Sequence, residues 1–67
     1  MATIINNNDF TLSAKMQSLI QNAAANAGAE TVTVSVKSCQ DDGELIEVYD
    51  EYENLICSGD TEAEIIF

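Results

Sequence analysis

Between Thr31 and Lys37 the chain alternates without a break: Val32, Val34 and Val36 fall on one side, Thr31, Thr33, Ser35 and Lys37 on the other. A period of two carried by β-branched residues predicts a half-buried strand. Upstream the period changes. In TLSAKMQSLIQNAAANAG, Leu12, Met16, Leu19, Ile20, Ala23 and Ala27 follow the i, i+4, i+7, i+8, i+11, i+15 series, one stripe of an amphipathic helix. Thr11 or Asp9 is a suitable N-cap, and Gly28 is placed to end the helix in a left-handed conformation. Alanines at 23, 24 and 27 let the last turns approach a sheet closely. The opposite face (Ser13, Gln17, Ser18, Gln21, Asn22, Asn26) is polar but nearly uncharged, so the helix reads as scaffold.

Downstream, CQDDG is turn chemistry, with Asp42-Gly43 a hairpin signal. ELIEVYD follows as a strand, Ile46 and Val48 on one face and Leu45, Glu47 and Tyr49 on the other. A loop over 50–54 leads to the strand NLICS, and SGD turns again. In the tail TEAEIIF, Ala63, Ile65 and Phe67 alternate as in a strand, while Thr61 and Glu64 match a helix capping box. Seven residues are too few for a stable isolated helix, so a strand is expected. TIIN near the start adds a short edge strand. The expected fold is α+β: one amphipathic helix packed on an antiparallel β-meander of three to five strands, with residues 1–67 as a single domain.

The composition supports folding, with 46% apolar residues in a regular pattern. Folding occurs against a net charge of −10, from twelve acids set against Lys15 and Lys37. Self-repulsion at that density keeps a chain soluble and weakens its compact state. It also disfavours direct binding to nucleic acid or to an anionic membrane, since no basic patch exists to displace counterions. The charge is uneven. Residues 1–40 hold two acids, Asp9 and Glu30, and both lysines, whereas residues 41–67 hold ten acids and no base. A basic partner is the natural complement.

The stretch MATIINNNDF lacks a basic segment followed by a long apolar core, and no apolar run approaches the length of a membrane span. A cytoplasmic location is therefore expected, with Cys39 and Cys57 as free thiols.

Catalytic chemistry finds little to work with. Histidine and arginine are absent, so a serine or cysteine nucleophile has no histidine base. Paired carboxylates need a cleft that a core of this size can hardly enclose. Residues 38–49 can be laid over a calcium loop with Gly43 at its sixth position, but Tyr49 stands where the bidentate glutamate belongs. Two cysteines without histidine are too few for structural zinc. Gly28, Gly43 and Gly59 are isolated turn residues, not a phosphate loop. No enzyme activity, metal or cofactor is expected.

The acidic stretch DDGELIEVYDEYE remains, with seven carboxylates in thirteen residues. A solvated face is the plain reading, since charge on strands blunts edges. Edge protection usually uses lysine or mixed signs, however, and like charges across a sheet are destabilising. Alternate residues of a strand repeat at about 6.6 Å on one face, on the order of the step between phosphates of a nucleic-acid strand. Glu47, Asp50, Glu51 and Glu53, with Asp41, Asp42 and Glu44 at the turn, are thus candidates for a row of anions facing a phosphate-binding groove. Tyr49 and Tyr52 are candidate aromatic anchors beside them. Leu45, Tyr49 and one of Leu55 or Ile56 are expected to share the face away from the helix, where a homodimer would cover them.

In size, in its acidic run 41–53, in its αβ meander and in lacking a catalytic set, the chain resembles the small acidic inhibitors encoded by phages and mobile elements. Anti-CRISPR proteins and DNA mimics are the groups in question. The resemblance is one of general form and rests on no motif. It implies inhibition by occupying a lysine- and arginine-lined nucleic-acid channel or PAM-reading surface of a nuclease or CRISPR effector subunit. Carboxylates would stand in for phosphates and accept bidentate bonds from arginine. The nearly neutral helix departs from the simplest mimic. A different class is an oligomeric structural or accessory protein whose charge serves solubility. A halophile's domain would be acidic throughout, which the neutral first forty residues oppose.

Overall fold

A computed structural model describes residues 1–39 and 43–67. Among them the elements are β1 (Thr3–Asn6), α1 (Ala14–Ala27), β2 (Thr31–Cys39), β3 (Glu44–Tyr49), β4 (Leu55–Asp60) and β5 (Ile65–Ile66). The strands form one sheet in chain order, with α1 packed on one face. Strands β2 to β5 are the expected antiparallel meander. The sheet as a whole is mixed, because β1 runs parallel to β2, Thr3 opposite Thr31 and Asn6 opposite Val34. The helix lies between these two strands in sequence, and a helix-length crossover is what parallel pairing requires.

The helix begins later than its capping signals suggest. Ser13, rather than Thr11 or Asp9, is the N-cap, its Oγ accepting the Met16 N–H at 3.1 Å. Leu12, just before the cap, is already in the core, so the chain is pinned to the sheet before the first turn forms. Gly28 ends the helix as expected, at φ 71°, ψ 25°, a left-handed conformation that spares the strain a Cβ brings. The buried line is Leu12, Met16, Ile20 and Ala24, flanked by half-buried Leu19 and Ala23, and Ala27 is exposed rather than part of the stripe. Steps of four residues drift around a helix of 3.6 residues per turn, which suits an oblique crossing of the sheet. The early turns sit over β4, where Met16 approaches Gly59, and the later ones lie beside the start of β1, where Gln21 bonds Ala2.

Gly59 is required by that approach. A Cβ there would lie 2.6 Å from the Ile65 carbonyl oxygen, 2.6 Å from Ile66 Cδ1 and 3.4 Å from Met16 Cε. The facing core is Val32 and Val34 of β2, Ile46 and Val48 of β3 and Cys57 of β4. A fully buried side chain such as Met16, Ile20 or Ile46 contributes about 1.5–3 kcal/mol of transfer free energy.

Three boundaries differ from the sequence expectation. Cys39, expected in a turn, belongs to β2, which runs past a register shift between Val36 and Ser38. Gly59 and Asp60, also expected in a turn, continue β4 beyond Ser58, and the turn falls at 61–64. In the tail it is Ile66 that packs against the core, while Ile65 and Phe67 are exposed. The alternation of Ile65 and Phe67 therefore marks the outer face. The Asp42-Gly43 hairpin signal falls partly on residues outside those described.

Candidate functional site

The face that α1 leaves uncovered carries the central part of the candidate site. There Glu47 lies between Ser35 of β2 and Ser58 of β4, Leu45 between Ser38 and Asp60, and Tyr49 between Thr33 and Leu55. Leu55, rather than Ile56, thus faces Tyr49, and Ile56 packs toward the core. The Tyr49 hydroxyl donates to Glu47 Oε1 at 2.9 Å. That bond, then desolvation, then the negative charge of Glu47 raise the Tyr49 pKa above its ordinary 10.0. Thr33, Ser35, Tyr49, Asp50 and Glu53 line a shallow depression of about 280 Å³ beside it.

The expected row of anions at a two-residue strand repeat is not formed. Strand β3 ends at Tyr49, so Asp50, Glu51 and Glu53 stand in the loop to β4, and only Glu47 lies mid-strand. That loop is built around Asp50. Its Oδ1 accepts the N–H groups of Tyr52 at 2.9 Å and Asn54 at 2.8 Å, and these bonds, that of Asn54 foremost, hold the Asp50 pKa below its ordinary value. Glu53 takes φ 64° to close the turn. Glu51 Oε2 accepts the backbone N–H of Glu30 at 3.2 Å, bringing a fourth acid to this end of the sheet. Tyr52 is 78% exposed at the loop tip, while Tyr49 is half-buried.

The other end of the sheet carries a second acidic group. Glu44 opens β3 and is tied to the 61–64 turn: its N–H donates to Thr61 Oγ1 at 2.7 Å, and its carbonyl accepts the Thr61 N–H at 3.0 Å. Asp60 Oδ1 accepts the N–H groups of Glu62 at 2.9 Å and Ala63 at 3.3 Å. Glu64 takes φ 54° in the same turn. Asp60, Glu62 and Glu64 thereby join Glu44, although they lie beyond the acidic run in sequence. The charge count over 41–67 already held this signal. Asp41 and Asp42 lie outside the described residues.

Both thiols are free, Cys39 exposed and Cys57 buried, and burial pushes the Cys57 pKa up. Among the described residues no polar or charged side chain is buried, and no group of three or more His, Cys, Asp or Glu side chains is arranged to hold a metal. No helix among them is long and apolar enough to cross a membrane. No protein-family model, curated protein or solved structure matches this chain.

Chemically, the arrangement presents anions. A central carboxylate, Glu47, stands between two acidic ends, each about three residues or 10 Å away along β3. The turns around Asp50 and Asp60 hold those ends in place.

Proposed function

We propose that this chain is a non-enzymatic inhibitor of the anti-CRISPR or DNA-mimic type. It binds a basic nucleic-acid-binding surface of a host nuclease or CRISPR effector subunit in the host cytoplasm and keeps nucleic acid out. One observation carries this reading: Glu47 and the two acidic ends share the β3–β4–β5 half of the sheet, a half whose residues include no base. Strand spacing favours a particular form of mimicry. An offset of three residues turns Glu44 to the face opposite Glu47, so the anions form a spread acidic surface rather than a row at the step between successive phosphates. The partner's arginines and lysines would meet this surface as they meet the negative field of a nucleic acid. Tyr52 at the loop tip and Tyr49 beside Glu47 supply rigid aromatic contacts once charge has steered the encounter.

The test is recovery of a partner from a host lysate on the tagged chain, followed by displacement of labelled nucleic acid from that partner. The expected result is displacement that weakens steeply with salt, and weaker still with the Glu47→Lys, Glu51→Lys double variant. A folded double variant that displaces nucleic acid as well as the wild type overturns the reading.

The second reading, an oligomeric structural or accessory protein, draws on the exposed apolar side chains of Leu55, Ile65 and Phe67 on the β4–β5 side. Assembly driven by that surface would be little affected by salt.

A further inference from the structure

We propose that β1 is a homotypic edge, through which two copies of this chain pair antiparallel to form one continuous ten-stranded sheet. The two edges of the sheet differ. Strand β5 is two residues long and adjoins Asp60, Glu62 and Glu64, so shortness and charge both protect it. Strand β1, Thr-Ile-Ile-Asn, has four residues, no charge and no proline. Shortness aside, it has no charge, proline or bulge to defend the edge.

Its backbone phase fixes how a second copy would join. The Thr3 N–H donates to the Glu30 carbonyl at 3.0 Å, so Thr3 and Ile5 direct their backbone groups toward β2. Alternation then turns the N–H and C=O of Ile4 and Asn6 outward. Pairing Ile4 with Asn6 of the second copy, and the reverse, forms four backbone hydrogen bonds around a two-fold axis. That register places the two Ile5 side chains opposite each other on the outer face, as a non-hydrogen-bonded pair with Cα atoms about 4.5 Å apart. Ile5 is 37% exposed in the single chain. On the helix side, α1 slants away from the Asn6 end of β1. It leaves a mixed polar and apolar hollow of about 400 Å³, bordered by Ile4, Asn6, Asn8, Phe10, Leu12 and Gln17, into which side chains of the added strand would reach.

Charge selects this edge for a second copy. Two chains of −10 repel, and joining β5 edges would set Asp60, Glu62 and Glu64 against their own copies. Joining β1 edges keeps the two β3 strands five steps apart, about 24 Å at about 4.8 Å per step, roughly three Debye lengths at physiological salt. The nearest acids are Asp9 and Glu30, in the loops at opposite ends of β1. A seam of four residues per copy is small, so the dimer is weak and concentration-dependent. Its residual repulsion is screened by salt, so it strengthens as salt rises. That is the opposite sign to binding a basic partner, and the inference does not rest on the proposed function.

Sedimentation velocity over rising concentration, at about 50 mM and about 500 mM salt, tests it. The expected result is a monomer–dimer equilibrium shifted several-fold toward dimer at the higher salt, lost in Ile5→Lys with an unchanged circular dichroism spectrum. In a Cys39→Ser background, Ile5→Cys should cross-link under mild oxidation, because the facing pair falls within disulfide range. Thr31→Cys, one strand further in, should not. A wild type that stays monomeric at both salts overturns the proposal. So does a folded Ile5→Lys that dimerises like the wild type, or cross-linking at Thr31→Cys in place of Ile5→Cys.

Discussion

The hydroxyl of Tyr49 donates to Oε1 of Glu47 at 2.9 Å, two positions back along the same strand. The bond ties a candidate anchor to a candidate anion. It stabilises the neutral phenol, and the Glu47 charge disfavours a second negative charge beside it, so the Tyr49 pKa rises above 10.0. In a Tyr52→Phe variant, with one tyrosine left, ultraviolet titration should give a midpoint above 10.0 that falls back toward 10.0 when Glu47→Ala is added. The bond contributes below pH 10.0 and is lost as pH rises through the folded value. A midpoint indifferent to Glu47 would mean that the hydrogen bond does not persist in solution.

Asp50 belongs to the same acidic run but has a different task. Its carboxylate organises the β3–β4 loop through the N–H groups of Tyr52 and Asn54, and its pKa is lowered from 3.8. A depressed carboxylate contributes stability that is fully present above pH 3.8 and is lost as pH falls through the folded value. Asp50→Ala should therefore be less stable than wild type in urea melts at neutral pH, and the gap should narrow in acid below pH 3.8. A gap that stays constant into strong acid would show that the charged form of Asp50 is not what holds the loop.

Gly59 lies where Met16 of the helix, β4 and β5 meet. A methyl there meets a backbone oxygen of Ile65 at 2.6 Å, and backbone cannot swing aside as a side chain can. Gly59→Ala should cost about 1–3 kcal/mol, the range for overpacking a fitted site. For a domain of this size that lowers the melting temperature by roughly 4–8 °C per kcal/mol. Met16→Ala, which empties the same contact, should cost about 2–5 kcal/mol. A Gly59→Ala variant as stable as wild type would mean that β5 is not seated on β4 as described.

Strands β2 and β3 were legible because alternation reports directly which side of a residue is buried. The valines at 32 and 34, with Ile46 and Val48, need no knowledge of the rest of the chain. Gly59 is hidden for the opposite reason. Ser-Gly-Asp is turn chemistry locally, and the glycine is there because Met16 and Ile66 come close, a fact of tertiary packing. Parallel pairing of β1 was equally hidden, since nothing within TIIN states its direction. In the acidic run, sequence registered the charge but not its division of labour. Asp50 and Glu53 look alike in a string of acids, and only hydrogen bonds show that Asp50 is committed to its loop. The second acidic end, around Glu62, is hidden because Asp60, Glu62 and Glu64 meet Glu44 through tertiary contacts, the Leu45–Asp60 pairing and the Thr61 bonds.

That division of labour predicts which acids a basic partner would feel. Glu53 and Glu62 are exposed at opposite ends of the sheet, and Glu47 stands between them. If the partner spans the face, Glu53→Lys and Glu62→Lys should each weaken binding at low salt by about threefold to tenfold, or about 0.7–1.4 kcal/mol. Both losses should shrink as salt rises, because solvent-exposed charges act over no more than a Debye length or so. Glu47→Lys should cost more than either, since it sits where desolvation is greatest. Loss at one end alone would indicate end-on docking through a single loop. Three folded reversals with unchanged affinity would leave the acids as a solvated surface that keeps the chain dispersed, and the phosphate-mimic proposal would fall.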